Sequence, residues 1–255
     1  MVVTPIHITA AQKEQYHEEG YMLLENVIPP PHLQMLRDEG QRYMDEINAE
    51  MDSKGVDVLG LSHRHKRYFI HSKFKGNNRL ASFLFSPLMA EICRATIGEE
   101  AYLFLEQYVI KMAEVGMKFS WHQDAGYIDS KPTPSYVSCW CTLDDVTEEN
   151  GTVYILPYSR AGTREWVEHK LDSESNDRVG YFGDDPGDPI IAQAGSIAVF
   201  SSVTFHRSGP NSTTNMRRVL LAQYSPKPIY NPDGTPRRWV EPFLKEGRNV
   251  YPAIE

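Results

Sequence analysis

The chain has 255 residues, 41% hydrophobic and 24% charged, and a formal net charge of −8. Such proportions fit an ordinary globular protein with a sizeable core, and the negative balance argues against a dedicated nucleic-acid binder. No apolar run is long enough to span a membrane and no signal-peptide core opens the chain. Three cysteines, an odd number, fit a reduced, cytoplasmic protein better than a disulfide framework.

Residues 1–8 read as extended. Thr9 is placed to cap a short helix running to about Glu19, which Gly20 closes. Residues 21–24 follow as a short buried strand. Leu33, Leu36, Met44 and Ile47 recur at helical spacing, which predicts a long amphipathic helix over 31–51. Residues 52–79 change character. They are loop-like to Gly60, then basic, with Arg64, Lys66, Arg67, Lys73, Lys75 and Arg79 among three histidines. This stretch is either a solvated face paired with acids of the long helix or an active-site flap that meets an anionic group. A second helical region over 80–97 contains Pro87 and is expected in two pieces.

From Ala101 the period shortens. Residues 102–112 are rich in aromatic and β-branched types and predict a strand. A second strand, 136–143, alternates Tyr136, Ser138, Trp140 and Thr142 on one face with Val137, Cys139, Cys141 and Leu143 on the other. Glu149-Asn150-Gly151 signals a turn before a strand at 152–156. Residues 161–188 read as a polar insertion with one short helix. Strands follow at 196–200, 204–206 and 217–224, the last two as a hairpin turned over 209–215, and the Pro- and Gly-broken remainder is expected to wrap over the barrel. Helices first and short strands after predict a mainly β fold with N-terminal helices, a double-stranded β-helix or cupin-like jelly roll. One domain over 1–255 accounts for it: helical buttress and flap to residue 100, jelly-roll core over 101–225, tail over 226–255.

His122 and Asp124 stand two apart in Trp121-His122-Gln123-Asp124. At a strand end they can turn an imidazole and a carboxylate toward one ion, and His206 can add a second imidazole from another strand. Two histidines and a carboxylate on one face of a metal leave the other face open, as non-haem Fe(II) oxygenases require. Either histidine alone is more often an ordinary surface or strand histidine. Arg217 follows His206 by eleven residues, and in a hairpin that separation returns it beside the metal. A buried guanidinium needs an anion, and its planar fork matches a carboxylate. Strand alternation alone does not choose Arg217 over Arg218. Gln107 and Lys111 form a polar pair at i, i+4 on an otherwise apolar strand, which suggests a pocket. No G-x-G-x-x-G, Walker A or G-x-S-x-G occurs, and no cysteine pair has zinc-finger spacing.

Taken together, Trp121-His122-Gln123-Asp124, the Trp140 strand ending in Asp144-Asp145, Glu149-Asn150-Gly151-Thr152, Ala194-Gly195-Ser196 and the run from His206 to Arg217 closely resemble the phytanoyl-CoA dioxygenase family over about residues 8–226. The resemblance implies Fe(II), 2-oxoglutarate and O2 as cofactors and cosubstrates. It implies metal ligands at His122, Asp124 and His206. It puts the far carboxylate of 2-oxoglutarate on Arg217 rather than Arg218, with Ser208 adding a hydrogen bond and Trp140 and Gln107 lining the cosubstrate pocket. The implied reaction is hydroxylation of a small organic metabolite with release of succinate and carbon dioxide. Desaturation, epoxidation or rearrangement in natural-product biosynthesis use the same cofactors. Readings of another class are a non-redox metal isomerase or hydrolase, which has no need of Arg217, and an inactive binding module, which has no need of intact ligands. Arg67, His71, Lys111 and Tyr127 are the candidate substrate contacts, the substrate being anionic if the basic stretch is a flap. Related halogenases carry a small residue where Asp124 stands.

Overall fold

A computed structural model describes residues 7–113, 118–128, 135–173, 177–231 and 233–252; most of the extended opening, 1–6, lies outside them. The first helix, α1 (Ala10–Glu19), starts as its sequence dictates. The Thr9 hydroxyl accepts from Gln12 N and the Gln12 side chain accepts from Thr9 N, so two otherwise orphan amides are satisfied reciprocally. Gly20 ends it at a φ of 81°, where a Cβ would meet Thr204 and Tyr158. Strand β1 (Tyr21–Leu24) leads into α2 (Pro30–Lys54), which turns Met35, Leu36, Tyr43, Met44 and Met51 inward. The second helical region breaks at Pro87 into α3 (Asn78–Leu84) and α4 (Pro87–Thr96), the latter capped by the Ser86 hydroxyl.

The basic stretch is built into the sheet. Strands β2 (Val58–Leu59), β3 (Ser62–His63) and β4 (Arg67–His71) form a meander, and β4 pairs along β5 (Ala101–Lys111). Much of its charge meets acids. Arg64 pairs with Asp52 and Asp57, Lys73 with Glu46, Lys75 with Glu241, and Arg79 with Asp38 and Glu39.

The remaining strands are β6 (Phe119–His122), β7 (Val137–Thr142), β8 (Val153–Leu156), β9 (Lys170–Leu171), β10 (Arg178–Val179), β11 (Asp188–Pro189), β12 (Ile197–Ser201), β13 (Phe205–Ser208), β14 (Arg217–Ser225), β15 (Glu241–Lys245) and β16 (Arg248–Asn249). A ten-stranded sheet runs β1-β12-β7-β14-β5-β4-β3-β2, with β15 on β5 and β16 on β15. A four-stranded sheet runs β11-β8-β13-β6, and β9 and β10 pair separately. The large sheet is two-faced. Val137, Cys139, Cys141, Leu220 and Ala222 face the helices, while Trp140 and Val219 pack with Ile155 and Phe200 on the other side. This is the expected cupin-like double-stranded β-helix with N-terminal helices.

Three expectations are corrected. Among the described residues of 161–188 there are short strands and no new helix; the short helix α5 (Tyr158–Ala161) precedes them. The tail does not merely wrap, since β15 and β16 extend the large sheet. Strands β13 and β14 are not a hairpin. The first pairs with β6 and β8 in the small sheet, the second with β5 and β7 in the large one. The connection crosses from sheet to sheet, so Arg217 reaches the cavity from the wall opposite His206. No helix among the described residues is long and apolar enough to cross a membrane.

Candidate active site

Antiparallel pairing of β6 with β13 sets His122 directly opposite His206, with ring centroids 4.1 Å apart. Each Nδ1 faces a backbone carbonyl: His122 that of Ser120 at 2.8 Å, His206 that of Thr204 at 3.0 Å. These hydrogen bonds select the tautomer with the proton on Nδ1, so each Nε2 keeps its lone pair for a metal. Asp124 opens a 3₁₀ turn (Asp124–Tyr127), and its Oδ1 lies 3.5 Å from His206 Nε2. One ligand atom from each of the three side chains lies within 4.8 Å of the others. Burial, then the neighbouring His206, holds His122 well below its ordinary pKa. Burial works against the Asp124 carboxylate, yet His206 and the Ser138 hydroxyl outweigh it and keep Asp124 ionised. A neutral His122 beside a carboxylate is the protonation state that metal ligation needs.

The other oxygen of Asp124 is taken. Oδ2 accepts from Ser138 Oγ at 2.5 Å and Gln223 Nε2 at 2.9 Å, and Gln223 also donates to Ser138 Oγ at 3.0 Å. Ser138 and Gln223 are register partners on β7 and β14. Gln123, between the two ligands, is fully buried. Its side chain donates to the carbonyls of Glu165 and Val203 and accepts from Val167 N. Its own N–H donates to His169 Nε2, and His169 packs so closely on Gly126 and Gly180 that a Cβ on either would strike the ring. Sequence reasoning passed over Gln123, His169 and Gln223. A usable signal existed for Gln223, a polar side chain on the same strand face as Arg217.

Arg217 lies at the other end of β14. It is buried, donates from Nη2 to the Gly151 carbonyl at 2.7 Å, and its Nε and Nη1 have no partner among the described residues. Its guanidinium carbon is 5.4 Å from the Trp140 ring centroid. Burial lowers its pKa to about 10, so it stays cationic at neutral pH. Lys111 stands opposite it in register and donates to Ser208 Oγ at 2.8 Å and to the Gly209 carbonyl. Burial, then Arg217, pushes the Lys111 pKa well down. With Lys111 as donor, the Ser208 hydroxyl keeps its own proton to give. Orphan guanidinium donors, a hydroxyl and a second buried amine fit the carboxylate of a bound dicarboxylate. Arg218, on the opposite face, is already spoken for: its Nε and Nη2 grip Asp144 at 2.9 and 2.7 Å.

These groups line one cavity of about 270 Å³. His122, Asp124, His206, Arg217, Ser208, Trp140, Gln107, His71 and Tyr127 all reach its wall. Two candidates stand elsewhere than expected. Lys111 belongs to the Arg217 end rather than to a substrate wall. Arg67 donates to the Leu61 carbonyl and lies over the Phe69 and Phe119 rings, which themselves line the cavity. Arg207, Arg237 and Arg238 also line it and were not singled out from sequence.

A sequence model of the family described as Phytanoyl-CoA dioxygenase matches residues 16–219. L-proline trans-4-hydroxylase of Streptomyces griseoviridis is 24% identical over 95% of this chain and 94% of its own length. Peroxisomal phytanoyl-CoA dioxygenase of Mus musculus is 22% identical, covering 85% of this chain and 68% of its own. Among solved structures, EctD from S. alaskensis with 2-oxoglutarate and 5-hydroxyectoine superposes with a TM-score of 0.69 at 20% identity, covering 100% of this chain and 88% of that one. EvdO2 from Micromonospora carbonacea var. aurantiaca with 2-oxoglutarate gives 0.68 at 21% identity, covering 93% and 99%.

Proposed function

Because the chain belongs to the phytanoyl-CoA dioxygenase family, and is thereby a non-haem dioxygenase dependent on Fe(II), 2-oxoglutarate and O2, we propose that it hydroxylates a small organic metabolite in this cavity. His122, Asp124 and His206 would hold the iron. When bound, iron and 2-oxoglutarate supply the oxidising chemistry, with release of succinate and carbon dioxide. The protein supplies position and dryness. Arg217 Nε and Nη1, with the Ser208 hydroxyl, take the far carboxylate of the cosubstrate, and Lys111 holds Ser208 in place to donate. Trp140 and Gln107 flank that pocket. Ser138 and Gln223 occupy Asp124 Oδ2, so the carboxylate would offer a metal its other oxygen, Oδ1. Phe119, Val153 and Phe200 close the wall against water.

The observation that carries this reading is the pair of unpartnered, buried donors on Arg217, facing the same cavity as the three metal-ligand side chains. Anaerobic titration with Fe(II) and 2-oxoglutarate, followed by succinate release on admitting O2, tests it. Protein that binds iron but neither binds 2-oxoglutarate nor forms succinate refutes it. We read the substrate as anionic. The 63–79 stretch supports this less than expected, because its cations are largely paired, whereas the arginines of the cavity wall support it more. The free, buried Cys93, Cys139 and Cys141 suit a reducing cytoplasm.

A further inference from the structure

We propose that the outer part of the cavity is an anion-recognising substrate subsite. In it Arg238, flanked by His71 and Arg237, takes the carboxylate or phosphate of an amphipathic small molecule, and the molecule's apolar body lies on Phe104, Ile128 and Tyr136. This inference rests on the assignment of the iron and 2-oxoglutarate sites above and deepens it.

The first support is position. Strand β5 runs the length of the cavity wall. Lys111, at its end, stands opposite Arg217. The tail is tied to the other half of the strand. Trp239 N donates to the Phe104 carbonyl at 2.9 Å, and Trp239 Nε1 donates to Glu106 Oε2 at 2.6 Å. Glu106, buried, also accepts from the backbone of Lys73 and Phe74. Arg237 and Arg238 immediately precede this anchor and are held at the level of Phe104 and Glu106. Five residues of strand separate that level from Lys111, about 17 Å at 3.3 Å per residue. One small carboxylate cannot answer both ends. The Arg217 end takes the cosubstrate, so the arginines at the tail end face a different anion.

The second support is charge. Arg207, Arg217, Arg237 and Arg238 line the cavity, and among the described residues that line it the one carboxylate is Asp124, assigned above to the metal. Arg207 is stacked on Tyr154, 3.8 Å from its centroid, and donates to the Pro186 carbonyl. Arg237 donates to the Tyr127 carbonyl at 2.9 Å and to Asn231 Oδ1 at 3.2 Å, which fixes the tail over the 3₁₀ turn that carries Asp124. Arg238 is exposed and has no hydrogen-bond or ion-pair partner among the described residues. His71 and Arg238 line the same cavity, and Arg238, after burial, lowers the pKa of the His71 imidazole, as a cation beside it does. The contrast with Arg64, Lys73 and Arg79 is plain, for each of those has its carboxylate.

The third support is the apolar wall. Phe104 and Tyr136 pack with centroids 5.1 Å apart, joined by Ile128 in a buried cluster beside the Asp124 turn. Leu61, an exposed apolar residue, closes the mouth. A cation at the rim and a hydrophobic wall leading inward select a molecule with a charged head and an apolar body pointing at the metal. A cavity of about 270 Å³ that also holds 2-oxoglutarate admits only a small one.

Anaerobic protein loaded with Fe(II) and 2-oxoglutarate should be titrated with hexanoate, methyl hexanoate and hexyl phosphate, followed by calorimetry. Hexanoate or hexyl phosphate should bind at least about tenfold more tightly than the neutral ester, as a charge-assisted contact to a guanidinium implies. The stronger of the two names the head group. Arg238→Ala should erase the preference, Arg238→Lys should keep part of it, and both variants should bind Fe(II) and 2-oxoglutarate as the wild type does. Equal binding of ester and anions, including no binding of either, overturns the subsite while leaving the iron and cosubstrate assignment intact. So does an undiminished preference in Arg238→Ala, or an anion that competes with 2-oxoglutarate. Wild-type protein that fails to bind 2-oxoglutarate overturns both.

Discussion

Removing the hydroxyl of Ser138 tests whether the carboxylate of Asp124 is held ready for the metal. Ser138 and Gln223 are both buried, and together they fill Asp124 Oδ2 at 2.5 and 2.9 Å. A hydrogen bond to a charged group contributes about 1.5–3 kcal/mol, more than a neutral one. Losing an outer partner of a metal ligand typically costs about 10–100-fold in metal affinity, or roughly 1.4–2.8 kcal/mol, the same range. Ser138→Ala should therefore weaken Fe(II) binding about tenfold, since Gln223 still holds Oδ2. Gln223→Leu should do likewise. The double variant should lose more than either yet less than the sum, because Gln223 also donates to Ser138 and the two form one network. With both donors gone, Oδ2 is free to bind the ion as well, so the visible spectrum of a Co(II) substitute should report a higher coordination number. Anaerobic calorimetry gives the affinities, and thermal melts check the fold. Wild-type affinity and an unchanged Co(II) spectrum in the double variant would refute the reasoning.

Ala at His122 or His206 should abolish Fe(II) binding with little loss of fold, and unaltered titrations in both would sink the ligand assignment. Arg217→Ala should raise the 2-oxoglutarate requirement steeply, the loss of a buried charge-assisted contact costing about 2–5 kcal/mol. Arg218→Ala should leave that requirement alone and lower the melting temperature by releasing Asp144, and the reverse pattern would mean the wrong face was chosen. With Asp124 as the proposed carboxylate ligand, turnover in chloride buffer should yield no chlorinated product by mass spectrometry. Burial raises the Glu106 pKa against the hydrogen bonds it accepts. Its folded value exceeds its unfolded one, so its contribution to stability is full below the unfolded pKa and is lost as pH rises through the folded one. Glu106→Gln should flatten that loss in melts from about pH 4 to about pH 7, and an identical slope would contradict it.

What was legible in the sequence was local. Thr9 with Gln12 and Gly20 marks both ends of α1 because capping is settled within a few residues. The faces of β7 follow from a period of two, which needs no knowledge of the partner strand. The grouping of three possible ligand side chains was legible because His122 and Asp124 are near neighbours in the chain and His206 completes a known pattern. Arg217 lines the cavity, but it gets there by a route other than the one expected. A hairpin was assumed, whereas β13 and β14 belong to different sheets. The eleven-residue spacing from His206 spans a crossover, and spacing alone does not distinguish a crossover from a hairpin. The basic stretch misled for a related reason. Lys75 meets Glu241 across 166 residues of chain, and no count of local charge foresees that. Arg237 and Arg238, in a segment that looked like loose tail, come to the cavity beside Trp239, which is tied to β5 through the Glu106 side chain and the Phe104 carbonyl.

Neighbouring arginines on β14 show where function parts from composition. Arg218 and Arg217 are one residue apart and chemically identical, and β alternation sends them to opposite faces. Arg218 finds Asp144 in a bidentate pair, which is the ordinary fate of a half-buried guanidinium. Arg217 finds a carbonyl, a tryptophan face and Lys111, a second basic group. An acid in that position would make the isolated fold more stable, since a buried charge without its counter-charge is expensive. It would also fill the place that an incoming carboxylate must take. By leaving Nε and Nη1 of Arg217 without a partner among the described residues, the fold bears the desolvation before any ligand arrives, and an anion entering the cavity would gain its hydrogen bonds without rearranging the wall. Among the described residues, the guanidinium proposed to meet the cosubstrate has no acid partner while its chain neighbour has one, and that difference exists only in three dimensions.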